Sequence, residues 1–161
     1  MRILAIIQFS FMIVATLVFA SAVILLSLLG LRRAAYVPVR AWAWSLLTTT
    51  GVRYRAHCVE NVPRSGSYVV ISNHCSHLDG PTFALALPHP VYFVIKKELA
   101  RIPLWGLAAR TVGFIAVDRS NSAQARAEMA RAVEAVRDGR RVLVFAEGTR
   151  SPDGHLQPFK K

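Results

Sequence analysis

The sequence predicts an α/β fold: a layered, mostly parallel twisted sheet flanked by helices, preceded by an N-terminal hydrophobic membrane-anchor helix. Three observations predict it. From Ile3 to Leu31 the chain carries no charged residue. From Val52 onward, short runs rich in Val, Ile and aromatic residues alternate with stretches of helical period. Clusters of Gly, Pro, Asn, Asp and Ser separate these runs.

The apolar run comes first. The chain is 53% hydrophobic with a mean hydropathy of +0.37, more apolar than an ordinary soluble domain of this size. The excess is concentrated at the N-terminus, where Gln8, Ser10, Thr16, Ser21 and Ser27 are the only polar side chains between Ile3 and Leu31. A helix needs about 20 apolar residues to cross a hydrocarbon core, and this run is long enough to cross with tilt or to continue into the interface. A secretory signal is the competing reading. It would begin with more positive charge than Arg2 alone, and apolar sequence would not run on past the small residues Ala20, Ser21 and Ala22. Residues 1–33 are therefore read as a membrane anchor. Arg32, Arg33 and Arg40 outnumber Arg2 across it, which places the chain from Arg32 onward on the cytoplasmic side of an inner membrane.

Residues 34–51 carry Trp42 and Trp44 among apolar neighbours, with Arg40. That composition suits an amphipathic helix in the membrane interface, and equally a core helix of the domain that follows. With the anchor it also suits a hairpin that enters a single leaflet. Residues 52–161 form the remaining domain. Residues 52–59 alternate apolar with polar, as a half-buried strand does, and a turn cluster follows at 61–66. Residues 67–72 read as a short buried strand. Residues 79–87 read as a helix stopped by Pro88 and Pro90. A strand at 91–95, a short helix at 103–110 and a strand at 113–117 come next. Residues 122–137 set Ala, Met and Val at helical spacing between Arg and Glu, and Asp138-Gly139 ends that amphipathic helix. Residues 142–146 read as a buried strand. Strands alternating with helices imply a largely parallel sheet in one domain.

The formal net charge is +11, from 20 Lys+Arg against 9 Asp+Glu. Such a balance suits nucleic acid or an anionic membrane surface; beside an apolar anchor the membrane surface is expected, and no nucleic acid. Cys58 and Cys75 have neither a CxxC spacing nor the count of a disulfide framework, which fits a reducing cytoplasm.

Chemistry gathers at the ends of the predicted strands. The strand at 67–72 runs into Asn73-His74-Cys75-Ser76-His77-Leu78-Asp79. His is the side chain best suited to take a proton near neutral pH, and a carboxylate on its far nitrogen fixes the tautomer. On one continuous helix the His74-to-Asp79 spacing would leave the two roughly 140° apart. His74 is therefore placed in the loop, with Asp79 in the first helical turn. The same spacing suits a capping Asp beside an incidental loop His, and spacing alone does not separate the two. A metal on His74, His77 and Asp79 lacks a further ligand cluster. Cys75 as nucleophile has its neighbour His74 pointing elsewhere. The strand at 142–146 ends in Glu147-Gly148-Thr149-Arg150-Ser151, where Gly lets the backbone approach an anion and Arg offers a bidentate fork for phosphate. Arg119 and the pair Lys96 and Lys97 follow two other strands. Any one of them suits a solvated surface charge; their recurrence at strand ends points to an anion.

In this order the segments Asn73-His74-Cys75-Ser76-His77-Leu78-Asp79, Lys97-Glu98-Leu99 with Pro103 and Gly106, Gly113 to Arg119, and Phe145 to Ser151 resemble the glycerolipid acyltransferase family. The resemblance is specifically to the 1-acylglycerol-3-phosphate (lysophosphatidic acid) acyltransferases. It covers most of the chain from Tyr68 to Ser151, and its HX4D motif is His74 to Asp79. It implies a membrane-bound enzyme of phospholipid biosynthesis. A fatty acyl group would pass from acyl-CoA or acyl carrier protein to the 2-hydroxyl of 1-acylglycerol 3-phosphate, giving phosphatidic acid. On the family pattern His74 is the general base and Asp79 its support. Lys97, Arg119 and Arg150 hold the acceptor phosphate, Gly148 and Thr149 shape that pocket, and Glu147 orients the acceptor or the basic groups. No cofactor, metal or covalent acyl-enzyme is implied. Other acceptors within the same chemistry are glycerol 3-phosphate and a lyso-ornithine lipid; the reading from another class is an inactive lipid-binding fragment. Family members usually continue beyond the Glu-Gly-Thr-Arg element with a Pro-containing hydrophobic segment of the acyl site, so the domain at 52–161 is expected to be truncated at its C-terminus.

Overall fold

The computed structural model describes residues 2–118 and 122–159. Its helices are α1 (Arg2–Leu28), α2 (Tyr36–Thr49), α3 (Asp79–Ala86), α4 (Trp105–Val112) and α5 (Ser122–Arg137). Its strands are β1 (Val69–Ser72), β2 (Tyr92–Lys96), β3 (Ile115–Val117) and β4 (Val142–Phe145), and short 3-10 turns lie at Val59–Asn61 and Leu99–Arg101. The strands form one parallel sheet in the order β1-β4-β2-β3.

The strand sequences explain the layers. In β4, Leu143 and Phe145 point to one face of the sheet and Val142 and Val144 to the other, as the two-residue period requires. Phe93 and Ile95 of β2 join the first face and Val94 the second. Ala43 of α2, Ala84 of α3 and Ala109 of α4 cover the first face, and Ala132 and Ala135 of α5 cover the second. Sheets covered on both sides read as continuous apolar runs, as 142–145 does. Each large aliphatic side chain buried this way contributes about 1.5–3 kcal/mol. The cover thins at β1: Val70 packs on the first face, while Ile71 is 64% exposed on the second.

The α1 helix is long and apolar enough to cross a membrane. Ala20 and Val23 pack against Ala108 and Val112 of α4, whereas Ile3, Ile6, Ile7 and Phe9 nearer the N-terminus are exposed. The α2 helix runs back along α1, with Gln8 Nε2 donating to the Thr49 carbonyl at 2.9 Å and Trp42 Nε1 donating to Thr16 Oγ1 at 3.0 Å. It also ties down the turn after α3. Arg40 donates to the carbonyls of Leu85 and Leu87, both at 3.0 Å, and the hydroxyl of Tyr36 accepts the Val91 N–H at 3.2 Å. A side chain counted in the sequence as a charge flanking the membrane is thus a hydrogen-bond clamp on backbone carbonyls.

Two expectations are corrected. Residues 52–59 form no strand: they have no regular structure before Val59, are mostly exposed, and end in the turn at Val59–Asn61. Their alternating pattern suits a strand, but a strand exists only where its N–H and C=O groups pair with a neighbour, and this segment joins neither edge of the sheet. The strand at 67–72 is not buried; β1 is an edge strand with alternating exposure. Elsewhere the ends of elements shift by one to a few residues, and α5 falls where it is expected.

Candidate active site

Parallel register brings the first two clusters together. Ser72 of β1 lies opposite Phe145 of β4, and both strands leave the sheet at the same end. His74, just past Ser72, therefore emerges beside Glu147, just past Phe145. The His74 N–H donates to Glu147 Oε1 at 3.0 Å, and the His74 carbonyl accepts the Ser151 N–H at 2.7 Å. The peptide of His74 is thus gripped from both sides by the segment that follows β4.

The ring is fixed separately. His74 Nδ1 and Asp79 Oδ2 lie 2.8 Å apart. An ionised carboxylate only accepts, so Nδ1 carries a proton, and in the neutral ring Nε2 keeps the lone pair. The same Oδ2 accepts the N–H groups of Cys75 at 2.7 Å and Ser76 at 2.9 Å. Asp79 opens α3, yet its carboxylate folds back over the loop rather than capping its own helix. Leu78 N–H bonds Ser76 Oγ at 3.1 Å and closes the turn before α3. Burial works to raise the Asp79 carboxyl; the hydrogen bonds from Ser76, the His74 ring and Cys75 outweigh it and hold the group below its ordinary value. Phe145 completes the setting. Its ring stacks on the imidazole at 4.0 Å between centroids and 14° between planes, and Phe83 meets Phe145 edge-on at 6.2 Å. The His74 side chain remains 17% exposed.

The other expected residues divide. Gly148 turns the chain with φ of 66°, a conformation that favours glycine, and its N–H bonds the Phe145 carbonyl at 3.0 Å. Thr149 and Arg150 follow, exposed, directly before the Ser151 that holds His74. Glu147 is only 1% exposed, and its second oxygen accepts the Gln157 N–H at 3.2 Å. Lys97 stands past the end of β2 and pairs with Asp118, past the end of β3, at 3.1 Å. Arg119 lies outside the described residues. No group of three or more His, Cys, Asp or Glu side chains suited to a metal occurs among the described residues, and Cys58 and Cys75 are free and exposed.

Phe145, Ser151 and Gln157 were given no role from the sequence. A signal existed for Phe145: it alternates onto the same face as Leu143. It becomes readable only once β1 is known to lie beside β4.

The acyltransferase family model matches residues 53–161. A 1-acyl-sn-glycerol-3-phosphate acyltransferase of Borreliella burgdorferi is 29% identical over 129 residues, covering 80% of this chain and 52% of that protein. One from Pseudomonas aeruginosa is 34% identical over 120 residues, 73% of this chain and 46% of that protein. The human 1-acyl-sn-glycerol-3-phosphate acyltransferase alpha is 35% identical over 112 residues, 69% of this chain and 40% of that protein. The chain spans about half the length of the curated relatives it matches. The crystal structure of the 1-acyl-sn-glycerophosphate acyltransferase PlsC from Thermotoga maritima superposes with a TM-score of 0.84 at 24% identity, over 99% of this chain and 66% of that one, and so shares the fold.

Proposed function

The chain belongs to the acyltransferase family, and from that premise we propose that it transfers a fatty acyl group from an acyl thioester to the 2-hydroxyl of 1-acylglycerol 3-phosphate. The observation that carries this reading is the His74–Asp79 pair, with Nδ1 bound to the carboxylate at 2.8 Å and the opposite ring nitrogen free to take a proton. Nε2 removes the hydroxyl proton as the oxygen attacks the thioester carbonyl. The tetrahedral adduct collapses, the C–S bond breaks, and the imidazolium returns the proton to the departing thiolate of coenzyme A or acyl carrier protein. Asp79 stabilises the imidazolium in between. No acyl-enzyme forms and no metal takes part.

Arg150, with Arg119 and Lys97, holds the acceptor phosphate. Support comes from the position of Arg150, exposed and one residue before the contact that grips His74, and from the fork geometry of guanidinium with phosphate. Gly148 gives the turn that presents Thr149 and Arg150. The apolar α1 anchors the protein in the inner membrane with the site on the cytoplasmic side, where a lipid acceptor and a soluble donor can both reach it.

The test is an acyl-transfer assay in vesicles or detergent, with labelled acyl-CoA and acyl carrier protein as donors. Lysophosphatidate, glycerol 3-phosphate and a lyso-ornithine lipid serve as acceptors. His74→Ala is expected to abolish turnover while vesicle binding persists; retained turnover removes His74 as the base. Arg150→Ala is expected to raise KM for phosphate-bearing acceptors about 10-fold or more, the scale of a lost charge-assisted pair. An unchanged KM takes Arg150 out of the phosphate site.

A further inference from the structure

Glu147 stands apart from the residues around it. Its carboxylate is buried, with 1% of the residue exposed, and no ion pair reaches it among the described residues. A carboxylate out of water is costly unless its oxygens are satisfied. Here both are satisfied by main chain: Oε1 accepts the N–H of His74 at 3.0 Å, and Oε2 accepts the N–H of Gln157 at 3.2 Å. Neither N–H belongs to a helix or a strand ladder. With 1% of the residue exposed, an acceptor lipid cannot reach this carboxylate without displacing the chain that covers it.

We propose that Glu147 is the positioning residue of the site: it fixes the main chain of His74, and through Gln157 it fixes the segment after β4 against the same point. This rests on the acyltransferase reading and replaces the acceptor-orienting role that the family resemblance implies. The imidazole is then set from two directions. Asp79 holds the ring through Nδ1, and Glu147, with the Ser151 N–H on the His74 carbonyl, holds the backbone from which the ring hangs. Proton transfer is sensitive to a misplacement of about 1 Å, which can cost about 10²-fold in rate. A buried carboxylate bridging two loops is a device for preventing such a shift.

Glu147→Gln keeps the shape but offers only one acceptor oxygen, and its amide NH2 faces the second N–H. In the full chain kcat is expected to fall about 10²-fold, while KM for lysophosphatidate stays within about 2-fold. A variant with kcat retained and acceptor KM raised 10-fold or more overturns the proposal in favour of substrate contact. Hydrogen exchange of the wild-type protein gives a test that needs no variant. The amides of His74 and Gln157 are expected to be slow although both lie in loops; rapid exchange of both in the folded protein overturns the clamp. Slow exchange in a wild type that acylates none of the acceptors defeats the acyltransferase reading alone and leaves the clamp standing.

Discussion

A single oxygen of Asp79 serves three donors: the His74 ring and the N–H groups of Cys75 and Ser76. Orienting the imidazole and shaping its loop are therefore one interaction. Asp79→Asn presents an amide in which only one of the two terminal atoms accepts, and the imidazole loses its tautomer control. Turnover is expected to drop at least about 10²-fold, the scale of a general-base contribution, read as kcat under saturating acceptor. The same substitution tests the titration. The Asp79 carboxyl is held below its ordinary value of 3.8, so the folded state binds this proton less readily than the unfolded chain. Its contribution to stability is then full above that ordinary value and is lost as pH falls through the depressed one. Thermal melts from about pH 6 down to about pH 2.5 are expected to show a steeper acid limb for wild type than for Asp79→Asn. This pair could be nominated from the sequence because its members lie five residues apart, but spacing alone left a capping Asp equally open, and the 2.8 Å contact is what distinguishes the two. The partners of Glu147 could not be nominated, because they depend on which strand lies beside β1, and no local pattern encodes that.

The elements show where local signals suffice. The α5 helix was readable to its ends, since its small apolar face and its Asp138-Gly139 stop are both written in consecutive residues. Residues 52–59 carried an equally clean alternation and made no strand, because pairing is a property of the neighbour as much as of the segment. The turn before α4 rests on close backbone contact. Gly106 lies against the 3-10 turn at Leu99–Arg101, and a methyl group there would overlap the carbonyl oxygen of Ala100. Arg110 Nη1 donates to that same carbonyl, which leaves it little room to yield. Gly106→Ala is therefore expected to destabilise by about 1–3 kcal/mol, the usual cost of overpacking, seen as a lower thermal midpoint in detergent. An unchanged midpoint would mean that the turn can move aside.

At the scale of the whole molecule, α1 is part of the fold as well as an apolar segment. Ala20 and Val23 cover Ala108 and Val112 of α4, and Gln8 and Thr16 bond to α2. The sequence divided the chain into an anchor and a domain because hydropathy reports composition and carries no record of what a helix packs on. Removing residues 1–33 to obtain a soluble form is expected to uncover α4 and lower the thermal midpoint, by about 2–4 °C for each kcal/mol lost. A truncated chain that stays monomeric without detergent and melts like the full one would show that α1 adds nothing to the fold. The sheet has a further consequence. His74 hangs from its outermost strand, and among the described residues that strand pairs with β4 alone. Edge ladders open at lower free energy than the centre of a sheet. Once β1 lifts, the imidazole leaves its seat while α5, β2 and β3 stay folded. Warming is therefore expected to end acyl transfer before the fold melts, with the midpoint of heat inactivation below that of the far-ultraviolet circular dichroism signal; coincident midpoints would show that β1 opens only with the rest.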